Sequence, residues 1–211
     1  MASVNRIKQY IDNGTYHIYN RGVNKQRIFF CQEDFRIYIR YIEQYLLPQE
    51  LLFRQMLESK ATTTEIIRVL SLKNYFLSVK ILAYCLMPNH IHFIVEQVGA
   101  RIVSEFMKSL HTRYGMYLNR KYKRVGPVFQ DIFKARIVKD DRDLLATANY
   151  IHRNPVKLAS KIERYKWSSL QYYSGIASPE WIGKEKVLGA FEKSAFQSQY
   201  HTYKDLVKDQ R

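Results

Sequence analysis

Residues 78–96, SVKILAYCLMPNHIHFIVE, constrain the fold of this chain more than any other stretch. Two apolar, β-rich runs, 78–86 and 90–96, flank Met87-Pro88-Asn89, which is the pattern of an antiparallel hairpin with a short turn. Side chains alternate along a strand, so Ile91, Phe93 and Val95 share a core-facing side while His90 and His92 project together from the other. Two neutral imidazoles on one rigid strand suit a divalent cation. An ordinary strand that happens to carry two histidines is the competing reading. Glu96 shares their face but stands roughly 13 Å beyond His92 at the usual strand rise, too far to join them on one ion.

The flanking segments predict how such a hairpin is covered. TYHIYN, residues 15–20, reads as a first strand ending at Arg21-Gly22. His17 on that strand is as readily a packed core histidine as a functional one. Phe35, Tyr38, Ile39 and Ile42 are spaced as a helix that Pro48 stops, and residues 49–72 continue with helical periodicity after a Thr62 to Glu65 cap. Val103, Phe106, Met107, Leu110, Tyr114 and Tyr117 form one apolar helical stripe over 102–118, which makes Tyr114 and Tyr117 core candidates. FQDIFKARIV, 129–138, reads as a last strand, and Asp140 as the cap of a helix over 141–154 that Pro155 ends. Trp167 onward, with a basic helical stretch at 195–208, reads as an appendage.

The order strand, helices, two strands, helix, strand, helix predicts an α+β fold. Specifically it fits a ferredoxin-like, RRM-like antiparallel sheet with helices packed on it, a helical insertion and a C-terminal helical appendage. No linker or repeat divides residues 1–211, so a single domain is expected, with its core at 14–173, the insertion at 44–74 and the extension at 174–211. Hydrophobic residues make up 46% of the chain, ample for a buried core.

Charge narrows the partner. Lys and Arg number 34 against 19 Asp and Glu, a formal charge of +15, which favours a polyanion such as nucleic acid over a neutral ligand. No basic amphipathic terminal helix or lipidation signal points to a membrane, and Pro88, Asn89 and the histidines interrupt the apolar run of 81–100. Cys31 and Cys85 have neither metal-ligand spacing nor disulfide density. MASVNRIKQYIDNG is charged where a signal peptide needs an apolar run, so a cytoplasmic protein is expected.

NYIHRNPV places Tyr150 and Asn154 at i and i+4, on one helical face, where one could attack and the other coordinate. A phenol is a weak nucleophile at neutral pH and becomes useful when a cation polarises the phosphate it attacks. Yet Tyr150 is one of 17 tyrosines, and a core or surface role is the default for any of them. His152, two residues from Tyr150, points elsewhere, toward DNA or a neighbouring chain element.

Several strings together carry a resemblance: YHIYNRGVNKQRIF, AYCLMPNHIHFIV, SLHTRYGMYLNRKYKRVGPVFQDIFKARIV, LLATANYIHRNPVKLA and YKWSS. In this order, from about residue 14 to 173, the chain resembles the REP-associated tyrosine transposases. These are insertion-sequence 200-like single-tyrosine transposases of the His-hydrophobic-His endonuclease superfamily. The resemblance implies that His90 and His92 bind the metal, that Asn154 supplies a third ligand, and that Tyr150 is the catalytic tyrosine. It implies a metal-dependent single-stranded DNA endonuclease and strand transferase that forms a 5′-phosphotyrosine, leaves a 3′ hydroxyl and religates without a nucleotide cofactor. Mg²⁺ or Mn²⁺ suits two imidazoles and an amide oxygen. A domesticated, noncatalytic single-strand binder and a nuclease using activated water are the alternatives.

Single-stranded or hairpin DNA is the expected partner. Arg113, Arg120, Lys121, Lys123 and Arg124, interleaved with tyrosines, offer phosphate contacts and stacking surfaces. Lys134 and Arg136 share the solvated face of the last strand, and the Asn-Arg-Gly at Asn20 and Arg21 is a motif that the family keeps. Relatives occur as swapped dimers and as monomers, so a homodimer stays open.

Overall fold

The computed structural model describes residues 10–159 and 161–209. The first nine residues of the segment read above for export signals lie outside them.

Four strands, β1 (Thr15–Arg21), β2 (Val79–Met87), β3 (His90–Gln97) and β4 (Lys134–Ile137), form a sheet in the order β2-β3-β1-β4, every neighbouring pair antiparallel. This is the expected ferredoxin-like arrangement. The β2–β3 turn needs only Pro88 and Asn89, whose short reach is anchored from outside: Ile28 and Phe29 both donate backbone N–H groups to the Pro88 carbonyl, at 2.8 and 3.0 Å.

One face of the sheet is covered by α1 (Gln32–Leu46) and α4 (Ile102–Lys121). Tyr16, Ile18, Ile91, Phe93 and Val95 meet Tyr38, Ile42, Phe106, Leu110 and Tyr114 there, all buried. Each large side chain so removed from water contributes about 1.5–3 kcal/mol. The fully buried Gln97 at the end of β3 accepts from Val103 N–H at 2.9 Å and serves as the missing cap of α4. Tyr114 lies wholly in this core, its hydroxyl donating to the Ile28 carbonyl at 2.5 Å, as its place on the apolar stripe predicts.

Two helices, α2 (Gln49–Glu58) and α3 (Thr63–Leu70), stand between α1 and β2, with Thr62 and Glu65 forming the expected capping box. Their neck is closed by Asn74 Nδ2 donating to the Leu47 carbonyl at 2.8 Å and Tyr75 N–H donating to the Tyr45 carbonyl at 2.8 Å.

The other face carries α5 (Asp141–Arg153), capped by Asp140, with α6 (Lys184–Glu192) and α7 (Tyr203–Lys208) packed against it. Leu144, Leu145, Ala148 and Ile151 of α5 pack with Cys85 and Ile94 of the sheet and Val187 and Phe191 of α6. Residues 167–183 border the outer edge of β2: Leu86 N–H donates to the Trp167 carbonyl at 2.8 Å and Gly183 N–H to the Ile81 carbonyl at 2.9 Å.

Two sequence expectations are corrected. Only Lys134–Ile137 of the stretch 129–138 forms a strand. Asn20 Nδ2 donates to the Asp131 carbonyl at 3.0 Å and Gln130 N–H to the Arg21 carbonyl at 2.8 Å, which bends 129–133 into a loop and sinks Phe133 into the core. The stretch 195–208 is a 3₁₀ turn (Ala195–Ser198) followed by the short α7, and α6, before it, was not anticipated. Among the described residues no helix is long and apolar enough to cross a membrane.

Candidate active site

Alternation along β3 sends His90 and His92 to the α5 side of the sheet, and pairing with β1 sets Arg21 opposite His90, Tyr19 opposite His92 and His17 opposite Ile94. α5 passes over this corner. Its Tyr150 and the Asn154 that caps its C-terminus, one turn apart, close the site: the Tyr150 ring meets His92 edge-on at 5.5 Å and His17 at 5.9 Å. Tyr150 is 54% exposed, so its ring touches the histidines while staying open to solvent.

The hydrogen bonds assign the protons. Asn89 Nδ2 donates to the Lys25 carbonyl at 3.2 Å, which turns Asn89 Oδ1 toward His90 Nδ1, 2.7 Å away. An amide oxygen only accepts, so Nδ1 carries the ring proton and Nε2 presents a lone pair. Asn154 is oriented in the same way: its Nδ2 donates to the Tyr150 carbonyl at 2.9 Å, leaving Oδ1 3.3 Å from His90 Nε2. Burial lowers the His90 pKa, partly offset by the Asn154 contact, which favours the neutral ring. In that tautomer the Nε2 lone pair and Asn154 Oδ1 converge at 3.3 Å. That is unfavourable for a bare pair and suited to two donors of one cation.

His92 is 7% exposed and His17 8%. Their rings meet at His17 Nε2 and His92 Nδ1, 3.0 Å apart, and Tyr19 stacks on His92 at 5.9 Å. Burial, and then the neighbouring histidines, lower the His92 pKa to about 3; burial followed by Arg136 lowers that of His17 to about 4. Among the described residues no three His, Cys, Asp or Glu side chains are grouped to hold a metal; the polar oxygen nearest the His90 imidazole nitrogen Nε2 is Asn154 Oδ1. His90, His92 and Asn154 fit a hard or borderline divalent ion: a mixed nitrogen and oxygen set with no thiolate.

Other expected residues are dispersed. Lys134 and Arg136 lie on the histidine face, opposite Tyr19 and His17, but Arg136 is held by Asp143 at 2.7 Å and Thr147 at 2.7 Å. Lys134 is exposed beside the site, as is Arg21, whose Nε donates to Gln130. Asn20 is buried and ties down the 129–133 loop instead of facing solvent. Arg113, Arg120 and Lys121 ride α4, on the opposite layer. There Arg113 stacks on Tyr41 at 4.0 Å and bonds Gln44, while Lys121 is held by Glu33 at 2.5 Å and the buried Asp34 at 2.9 Å, so neither is free for phosphate. Tyr117 donates to the same Asp34. Arg120 and Lys123 are exposed, and Arg124 contacts Gln26. Glu96 pairs with Lys186. His152 is fully buried between Tyr203 and Ser169, at 2.9 and 2.8 Å, so it joins neighbouring chain elements and not DNA.

His17 is the site residue that sequence reasoning undervalued. The signal available was its period-2 position: once β1 is paired with β3, residues 17, 19 and 21 must share the histidine face.

Residues 53–154 match the family model described as transposase IS200 like, a span that holds His90, His92, Tyr150 and Asn154 but not β1. The resemblance read from the sequence is borne out. A search of curated proteins gives no match. A solved structure described as a REP-associated tyrosine transposase bound to a REP hairpin shares the fold, with a TM-score of 0.57 at 14% identity, over 85% of this chain and 90% of that one.

Proposed function

We propose, for a chain that carries the IS200-like transposase pattern over 53–154 in the fold of a REP-associated tyrosine transposase, a metal-dependent nickase and strand transferase acting on single-stranded or hairpin DNA. The observation that carries this reading is the corner where Tyr150, 5.5 Å from His92, stands one helical turn before Asn154, whose oxygen lies 3.3 Å from Nε2 of His90.

His90, His92 and Asn154 would hold Mg²⁺ or Mn²⁺, which when bound neutralises charge on the scissile phosphate. Tyr150 Oη attacks that phosphorus; its proton passes to solvent as the P–O3′ bond breaks, and the departing 3′ oxygen takes up a proton to become a hydroxyl. The 5′ phosphate stays on the tyrosine as a diester, so the bond is conserved for rejoining to a second 3′ hydroxyl and no ATP is consumed. Tyr150 needs no buried base for this: its exposure leaves the phenolic proton a route to water. Arg21 and Lys134 flank the corner and would position the backbone of the incoming strand. The reading takes residues 1–211 as one cytoplasmic transposase-like unit, working as a monomer or as a homodimer.

Incubation with a labelled hairpin oligonucleotide and Mn²⁺ is expected to give a protein–DNA adduct on a denaturing gel, carrying the fragment downstream of the nick. Tyr150→Phe should give none, and His90→Ala should lose at least 100-fold in adduct yield. An adduct of wild-type strength from Tyr150→Phe would overturn the assignment.

A further inference from the structure

His17 lies outside the stretch matched by the family model, yet it makes the shortest polar contact to either strand histidine from another strand. For His92 to give its Nε2 lone pair to a cation, the one proton of its neutral ring must sit on Nδ1. The atom facing Nδ1 is His17 Nε2 at 3.0 Å, in a pair so buried that little water competes. From this geometry we propose that His17 is a positioning residue: it accepts the Nδ1–H of His92, fixes the tautomer that leaves Nε2 bare, and holds the ring in place. Metal-binding histidines are generally oriented through their second nitrogen in this way.

The same ring does a second job. The Tyr150 ring stands edge-on to His17, with centroids 5.9 Å apart at 70°. One side chain on β1 therefore sets both an imidazole donor and the nucleophile's ring, and β1 is registered with β3 along its full length. The pairing is symmetrical in logic with the other donor. Asn89 fixes the tautomer of His90 through its amide oxygen; His17 fixes that of His92. This inference rests on the metal-site reading above.

The test uses full-length protein without DNA. In ¹⁵N-histidine spectra of the metal-free wild type, His92 should show a protonated Nδ1 and an unprotonated Nε2; the reverse pattern overturns the inference with no variant needed. Mn²⁺ affinity, measured by calorimetry, should fall 10- to 100-fold in His17→Phe, which keeps the ring against Tyr150 but cannot accept a proton. It should recover substantially in His17→Gln, whose side-chain oxygen can. Hairpin binding in EDTA should be unchanged in both, which separates the effect from loss of fold. A wild-type Mn²⁺ affinity in His17→Phe overturns the positioning role alone. A wild-type protein that binds no Mn²⁺ overturns the metal-site reading and this inference with it.

Discussion

A buried carboxylate shows how single residues of this chain are balanced. Asp34 has a fully buried side chain, and burial alone would push its carboxyl up; hydrogen bonds from Lys121, Phe30 N–H, Tyr122 and Cys31 N–H outweigh that and hold it below the usual 3.8. A carboxyl depressed in the folded state contributes stability that is present above its unfolded pKa and is lost as pH falls through the folded value. Thermal melts should therefore show an acid limb below about pH 4 that is flattened in Asp34→Asn, which at neutral pH should cost about 3 kcal/mol because an amide cannot accept from Phe30 N–H, Cys31 N–H and Tyr122 as well as from Tyr117 and Lys121. At the site, the pairing of His90 and His92 was legible because period-2 alternation needs only local sequence, whereas i, i+4 spacing set Tyr150 and Asn154 on one face and only the family resemblance singled them out. His17 was not: its contact with His92 joins residues 75 apart in the chain, and nothing in TYHIYN reveals which strand it will pair with.

At the scale of elements, the hairpin, α1, α4 and the N-terminus of α5 could all be read, since each has an apolar period and a cap or stop. α6 escaped because only Val187, Ala190 and Phe191 of its nine residues are buried and it carries a glycine, so its periodicity is weak. The loop 129–133 read as strand because its aromatic residues are core residues, held there by bonds to Asn20 and Arg21 that no local pattern announces. α2 and α3 meet the rest of the fold through a bonded neck and a limited core contact, Leu52 with Leu51, Leu70 and Leu72 packed beside it. Replacing residues 49–72 by a short Gly-Ser linker should thus leave the sheet and the histidine corner intact: we expect a loss of a few degrees in Tm and Mn²⁺ affinity within threefold of wild type, checked by melting and calorimetry. A loss of Mn²⁺ binding would mean that these helices support the sheet after all.

For the whole molecule, the charge of +15 is a poor guide to where DNA would lie, since several cations are already spent on partners inside the fold. Among the described residues, Arg21, Arg120, Lys123 and Lys134 are the exposed members of the expected set that no carboxylate pairs, which gives a slope of about −3 for log affinity against log salt on a single strand. Fluorescence anisotropy should find that slope shallower by about 0.7 in Lys134→Ala and unaltered in Lys121→Ala. Residues 167–183, which border β2, also set a timetable for synthesis. They leave the ribosome about 80 residues after β2 does, so at ordinary translation speeds a nascent chain spends roughly 4–16 s with that strand's outer hydrogen-bonding groups unprotected. A truncation ending before residue 167 would make the interval permanent, and such chains should accumulate as insoluble self-paired material.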